Sequence, residues 1–364
     1  MASLPSARSS ATPDAGSASA IADFGRGADA AGVPAAGESP APQRRWLFAG
    51  LAIGLVFLWL ALRQADLGAT WQVLRQVHPG WALAVFAGGT AFMFVKAWRW
   101  AIILRHLARP DYGTLARSVY IGTAANLVVA HTGELIRARM IARRVAAPWS
   151  AVLATVAIER IFDFIALIIL TAVALVLDPR VSPLLWTAGL VSLGFVAIGL
   201  SVVLALLRPH PRLQRIGIAL LRWIPERPRG WLLRALERGV AGLQALEQPS
   251  VVLWAVALSL LQWSCIVAAV AFSTLAVGVA IPVSGAIAVF VLTVIGLTLP
   301  SSPAQLGTTQ LAFVVGLELI GGSAVSAFAA SMVYTVFAVV TMMVLGALLW
   351  MAGWRGGVRS VNRP

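Results

Sequence analysis

Apolar residues in this chain come in long runs separated by short polar punctuation. A run of about 18 or more apolar residues reads as a membrane-crossing helix. Taken in order, the runs predict spans at about 46–63, 81–104, 150–177, 183–207, 251–275, 284–299 and 324–352. Two segments break the pattern. Residues 115–135 are apolar but interrupted by Asn126, His131, Thr132 and Gly133. They are short for a clean crossing and read better as a re-entrant hairpin entering from the cytoplasmic side. That reading returns residues 133–137 to the cytoplasmic boundary. The second break is LPSSPAQLGTTQ, residues 299–310, where Pro300, Pro303 and Gly307 interrupt an apolar region. Proline removes a helix hydrogen bond and frees the carbonyl it would have met. An apolar piece, 311–320, follows and carries Glu318. Paired interrupted segments in two halves of a membrane protein point to a binding site near the midplane. The expected fold is an all-α polytopic membrane protein of seven to eight transmembrane helices, with re-entrant or broken segments near 118–135 and 300–320.

Composition agrees: 59% of the 364 residues are hydrophobic, against roughly 45–50% in an ordinary globular domain. The net charge of +14 does not indicate nucleic acid, because the arginines lie mostly in loops between apolar runs. That is how cytoplasmic loops look, and anionic lipid head groups are their natural partners. Residues 1–43 are rich in Ala, Ser, Gly and Pro and are expected to be a disordered tail. Residues 44–354 form one helical membrane domain, and 355–364 a short basic tail. Arg44 and Arg45 before the first span, and Arg355, Arg359 and Arg363 after the last, favour cytoplasmic termini. The longest loop, 208–248, interleaves eight arginines with Leu213, Ile216, Leu220, Trp223, Trp231, Leu232 and Leu236. It reads as a cytoplasmic basic amphipathic segment lying on an anionic leaflet, or simply as a positive-inside loop. Gly50 and Gly54 make a GxxxG that suits close helix packing. One cysteine, Cys265, and four scattered histidines offer no metal-ligand spacing. No metal or cofactor is expected.

Charge enters the apolar region at Glu134 and Arg137, and again at Glu159, Arg160 and Asp163. A charged side chain near the bilayer centre costs about 2.5–3.5 kcal/mol on insertion scales, so it needs a partner or a wet cavity. Helical spacing gives Glu134 and Arg137 a shared face, and Glu159 and Asp163 another. Arg160 points away from the second pair, which leaves Glu134 as a candidate partner. All five are expected close together, facing a cavity open to the cytoplasmic leaflet. Arg99 and Lys96 lie among Trp98 and Trp100. They read either as an interfacial belt with snorkelling bases or as groups beside a lipid phosphate. The charges either bind substrate or only pin helices together.

The motif Gly133-Glu134-Leu135-Ile136-Arg137, then Glu159-Arg160 with Asp163, then Pro300-x-x-Pro303-x-x-x-Gly307, resembles the flippase-like membrane domain of bacterial lysylphosphatidylglycerol synthases. The resemblance covers about residues 45–352. Two positions depart from it. The family often has Pro-Gly where this chain has Pro303-Ala304, and Glu where it has Gln310. The resemblance implies an inner-membrane protein that moves a lipid or lipid-linked head group between leaflets. The substrates it suggests are diverse, among them aminoacylated phospholipid, polyprenyl-linked sugar and hopanoid precursors, and the lipid partners expected of this chain are anionic or polyprenyl-linked. From the buried charges and these motifs together, substrate contacts are expected at Arg99, Glu134, Arg137, Glu159, Arg160, Asp163, Pro300, Pro303, Gly307 and Gln310. The longest loop lacks a nucleotide-binding glycine motif, a carboxylate pair and a metal cluster, so catalysis is not expected. A non-catalytic partner of a lipid-modifying enzyme is the alternative, and a membrane-embedded synthase or glycosyltransferase a further one.

Overall fold

A computed structural model describes residues 41–128, 132–178, 244–298 and 302–361, with a few positions between 186 and 197. The expected tail, most of the 183–207 span, the 208–243 part of the basic loop and Pro300 lie outside the described residues. Contacts divide the chain after Arg45, and the packed helices belong to the unit that begins at Trp46.

Every regular element among the described residues is helical. In chain order they are α1 (Ala41–Gln64), α2 (Leu67–Arg75), α3 (Pro79–Leu104), α4 (Tyr112–Val128), α5 (Thr132–Val145), α6 (Trp149–Leu177), α7 (Pro249–Ala276), α8 (Val283–Thr298), α9 (Thr308–Glu318), α10 (Ala324–Tyr334) and α11 (Thr341–Val361). A π turn over Thr335–Val340 joins α10 to α11. Among the described residues four spans are long and apolar enough to cross a membrane: α3, α6, α7 and Ala324–Gly353. A fifth is reached if α1 and α2, bent by 85° at their junction, count together. That junction is set locally, because Asp66 caps α2 by accepting from Gly68 N at 2.7 Å and Ala69 N at 3.2 Å. Proline opens α3 and α7 at the first turn, where its missing N–H costs nothing.

The two interrupted segments are both helical hairpins. At 17 and 14 residues, α4 and α5 are about 25 and 21 Å long, short of the roughly 30 Å hydrocarbon core. They pack antiparallel through Gly122 and Gly133, and the Asn126 side chain accepts from Gly133 N at 2.6 Å. The second leg runs to Val145, well past the expected end at 135. Residues 133–137 therefore lie at the deep end of the hairpin rather than at its mouth. The correction has a local cause: Thr132 starts a new helix directly after the break instead of ending one.

The second hairpin pairs α8 with α9, with Gly296 against Thr308 and Gly316 against Val289. At its tip a 3-10 turn, Pro303–Gln305, holds Ala304 and Gln305 at φ 56° and 59°. This left-handed conformation costs roughly 1–2 kcal/mol for a residue with a Cβ. Gly307, at φ +85°, sits against the backbone of Gly54 in α1. The second glycine of the Gly50/Gly54 pair thus seats this tip within the same chain.

Side-chain and backbone contacts define two ends of the helical assembly. Arg105 reaches Gln248, so the end of α3 meets the start of α7, and Arg117 donates to Leu349 O at 2.8 Å, joining the start of α4 to the last helix. At the other end His78 N donates to Ala276 O at 2.9 Å. Both legs of α4–α5 open at the first end. Both legs of α8–α9 open at the second, where the Gln64 side chain reaches Glu318. The hairpins enter from opposite ends and meet tip to tip.

Candidate functional site

Six charged side chains alternate in sign along a continuous path, Arg137–Glu159–Arg99–Asp163–Arg160–Glu134. Arg99, on α3 and wholly buried, is its centre. Its Nη1 donates to Asp163 Oδ1 at 2.6 Å and to Ser259 Oγ at 2.6 Å, and its Nη2 to Glu159 Oε1 at 3.3 Å. Arg137 donates to the other oxygen of Glu159 and stacks over the Trp100 ring, 4.6 Å from its centroid. Trp263 Nε1 adds a 3.0 Å bond to Asp163. Arg160 lies 3.5 Å from Asp163 and 3.7 Å from Glu134. Opposite charges at these distances are strongly coupled in a low-dielectric interior, so the path ties α3, α5, α6 and α7 together.

Only one end of the path is open. The Arg160 side chain is 43% exposed and that of Glu134 18%, whereas Arg99 and Glu159 are fully buried. Glu134 and Arg160 line a cavity of about 220 Å³, together with Lys96, Asn126, Thr293, Gln305 and Tyr334. Phe92, Trp263 and Phe290 form an aromatic wall, with centroid spacings of 5.3 Å. Asn126 belongs to the first hairpin and Gln305 to the tip of the second, so the cavity lies where the two meet. Tyr334 precedes the π turn, a geometry frequent at functional sites.

The structure brings Glu134, Arg137, Glu159, Arg160 and Asp163 together, and no helix separates them. Arg160 takes Glu134 as its partner, as its position on α6 suggested, while Glu159 of the same helix takes Arg137. The structure differs from expectation in two respects. Arg137, Glu159 and Asp163 are packed between helices and do not line the cavity. Arg99 is no snorkelling belt residue: its two Nη atoms donate to α6 and α7, while Trp98 is exposed and Trp100 buried.

At the second hairpin, Pro303 lies in the tip turn and Gly307 packs on α1. Gln310 is fully buried, accepting from Gly307 N at 2.5 Å and donating to Thr335 Oγ1 at 3.1 Å. It caps α9 and ties it to the π turn. None of the three lines the cavity. Lys96 was foreseen only as an alternative to Arg99, and Tyr334, Gln305 and the Ser259–Trp263 face of α7 were not foreseen. That face was visible as two polar side chains four apart in a span without charge. The π turn left no sequence signal.

This geometry defines a polytopic helical membrane protein with a buried charge path leading to a polar cavity between opposed hairpins. The family profile described as "Lysylphosphatidylglycerol synthase TM region" matches residues 47–346, and the chain belongs to that family. A search of curated proteins finds no match. Membership supports a lipid-related role in the membrane.

Proposed function

We propose that this protein moves a membrane lipid between leaflets by carrying its polar head through the cavity between the hairpin tips. The supporting observation is the placement of Glu134 and Arg160, the open end of an otherwise sealed charge path, where hairpins from opposite ends converge. A polar head cannot cross hydrocarbon without such a path. Hairpins that meet from two sides supply a barrier on each side of one site, as alternating access requires. Arg99, Arg137, Glu159 and Asp163 pin helices, and Glu134 and Arg160 meet the substrate. The substrate is an anionic phospholipid or a polyprenyl-linked head group. The chain moves the lipid without modifying it, and any chemistry falls to a separate enzyme partner. In liposomes containing the full chain, Glu134→Ala and Arg160→Ala are each expected to slow lipid movement on the order of tenfold or more, as loss of a charge-assisted contact implies. Arg143→Ala, exposed on α5, is expected to leave the rate unchanged. Wild-type rates in both cavity variants would sink the assignment.

In the inner membrane, the topology we propose has eight inserted units: six crossings, one of them over 183–207, and the two hairpins. The end bearing Arg105, Arg109, Arg139, Arg143 and Arg144 faces the cytoplasm with both termini, because basic residues concentrate there. A cysteine at Arg229 is expected to react with a membrane-impermeant thiol reagent only after cells are opened. Labelling in intact cells would reverse the orientation.

A further inference from the structure

Charge balance around the cavity distinguishes one residue the path does not use. The six side chains of the path are three arginines and three carboxylates, and cancel. Lys96, on α3 one turn before Arg99, also lines the cavity. Among the described residues no carboxylate lies within 4.0 Å of it, and its ammonium sits 5.7 Å from the Phe92 ring centroid. Among the described residues the other elements around the cavity add no charge near it: α7 and α8 carry none, and Arg117 and Glu318 lie at the far ends of α4 and α9. Four bases against three acids leave the site one positive charge in excess. Two buried atoms at the cavity also lack hydrogen-bond partners, Arg160 Nε, a donor, and Glu134 Oε2, an acceptor.

We infer that Lys96 makes the cavity selective for a lipid whose head group is net-negative, a phosphate carrying hydroxyls rather than an amine. This rests on the lipid-transport reading and names its substrate chemistry. A phosphate oxygen bridging Lys96 and Arg160 neutralises the excess charge and occupies the free Nε donor. Glu134 Oε2 then accepts from a hydroxyl of a glycerol or sugar. An ammonium at Glu134 satisfies the same oxygen but restores the unbalanced positive charge, so a zwitterionic head is held less well. A head group of net positive charge is held least.

The test uses the full chain in phosphatidylcholine vesicles with trace tail-labelled lipids: phosphatidylglycerol, phosphatidylethanolamine and lysyl-phosphatidylglycerol. The same lipids are offered to the detergent-purified chain, and retention is read by native mass spectrometry. Wild type is expected to favour phosphatidylglycerol over phosphatidylethanolamine on the order of tenfold, the effect of about 1.4 kcal/mol. Lys96→Gln should slow phosphatidylglycerol more than phosphatidylethanolamine and so abolish that preference, and Lys96→Arg should keep it. Inorganic phosphate should not displace the retained lipid, and displacement would make the occupant a soluble anion and overturn the inference. Equal movement and retention of all three lipids by wild type would overturn it while leaving transport standing. Retention of phosphatidylglycerol that depends on Lys96, without movement of any lipid, would uphold the selectivity and remove the transport reading. The wild-type comparison decides the question even if Lys96→Gln does not fold.

Discussion

Arg99→Ala is expected to destabilise the protein more than any other single charge removal. Arg99 is fully buried and donates to Asp163, Ser259 and Glu159, which lie on two neighbouring helices. Without it, two arginines remain for three carboxylates, and Asp163 and Glu159 each lose a partner beside the void left by a long side chain. Removing one partner of a buried ion pair typically costs about 3–5 kcal/mol, because the remaining charge is uncompensated. Whole domains are stable by only about 5–15 kcal/mol. Little monodisperse protein should survive purification, and what does should unfold far below wild type in a thermal scan monitored by size-exclusion chromatography. The double variant Arg99→Met with Asp163→Asn separates charge from packing. It leaves two complete pairs, Arg137 with Glu159 and Arg160 with Glu134. Much of the lost stability should therefore return. Arg143→Ala, on the exposed face of α5, should fall within about 0.5 kcal/mol of wild type. An Arg99→Ala protein as stable as Arg143→Ala, or a double variant no better than the single, would show that the charge path does not hold these helices.

Gly133→Ala should damage both fold and transport. A Cβ at this position would overlap Gly122 O and lie 2.8 Å from Asn126 Cγ. The first obstacle is backbone, which no rotamer change relieves, so α4 and α5 must separate. Overpacking a tight interface commonly costs about 1–3 kcal/mol and more where backbone has to move. The displaced segment begins with Glu134 and includes Arg137, so the Arg160 and Glu159 pairs shift with it. Gly278→Ala is the control. Its φ of +80° carries a conformational cost, but nothing lies within 4 Å. That cost is roughly 1–2 kcal/mol, and transport should be unaffected because the cavity is untouched. Equal thermal stability and equal lipid movement in the two variants would refute the close hairpin contact.

Several features were legible before any tertiary contact was known. The spans at 81–104, 150–177 and 251–275 became α3, α6 and α7 within two residues at each end. Apolar length alone sets these, since about 20 residues bridge the hydrocarbon and backbone polar groups must be satisfied within the helix. Both broken segments were marked by residues that cannot continue a helix or that favour its start. The charges at 134–137 and 159–163 stood out because charge in an apolar run requires a partner.

Which partner each charge takes was decided only in three dimensions. A span such as α3 is apolar nearly all round, so its sequence does not fix which face turns inward. Packing of Gly88 on α7 and Gly89 on the π turn sets that rotation, and with it puts Arg99 in the charge path and Lys96 in the cavity. The spacing of Glu134 and Arg137 gave them one face, and only the packing of α6 against that face matched Arg160 to the first and Glu159 to the second. Gln310 lies in the motif but turns away from the cavity, because an N–H of Gly307 and the hydroxyl of Thr335 claim its amide. Local sequence thus determined the helices, their breaks and the presence of buried charge. Helix rotation and the meeting of two hairpins far apart in sequence determined which charges are sealed and which face the cavity.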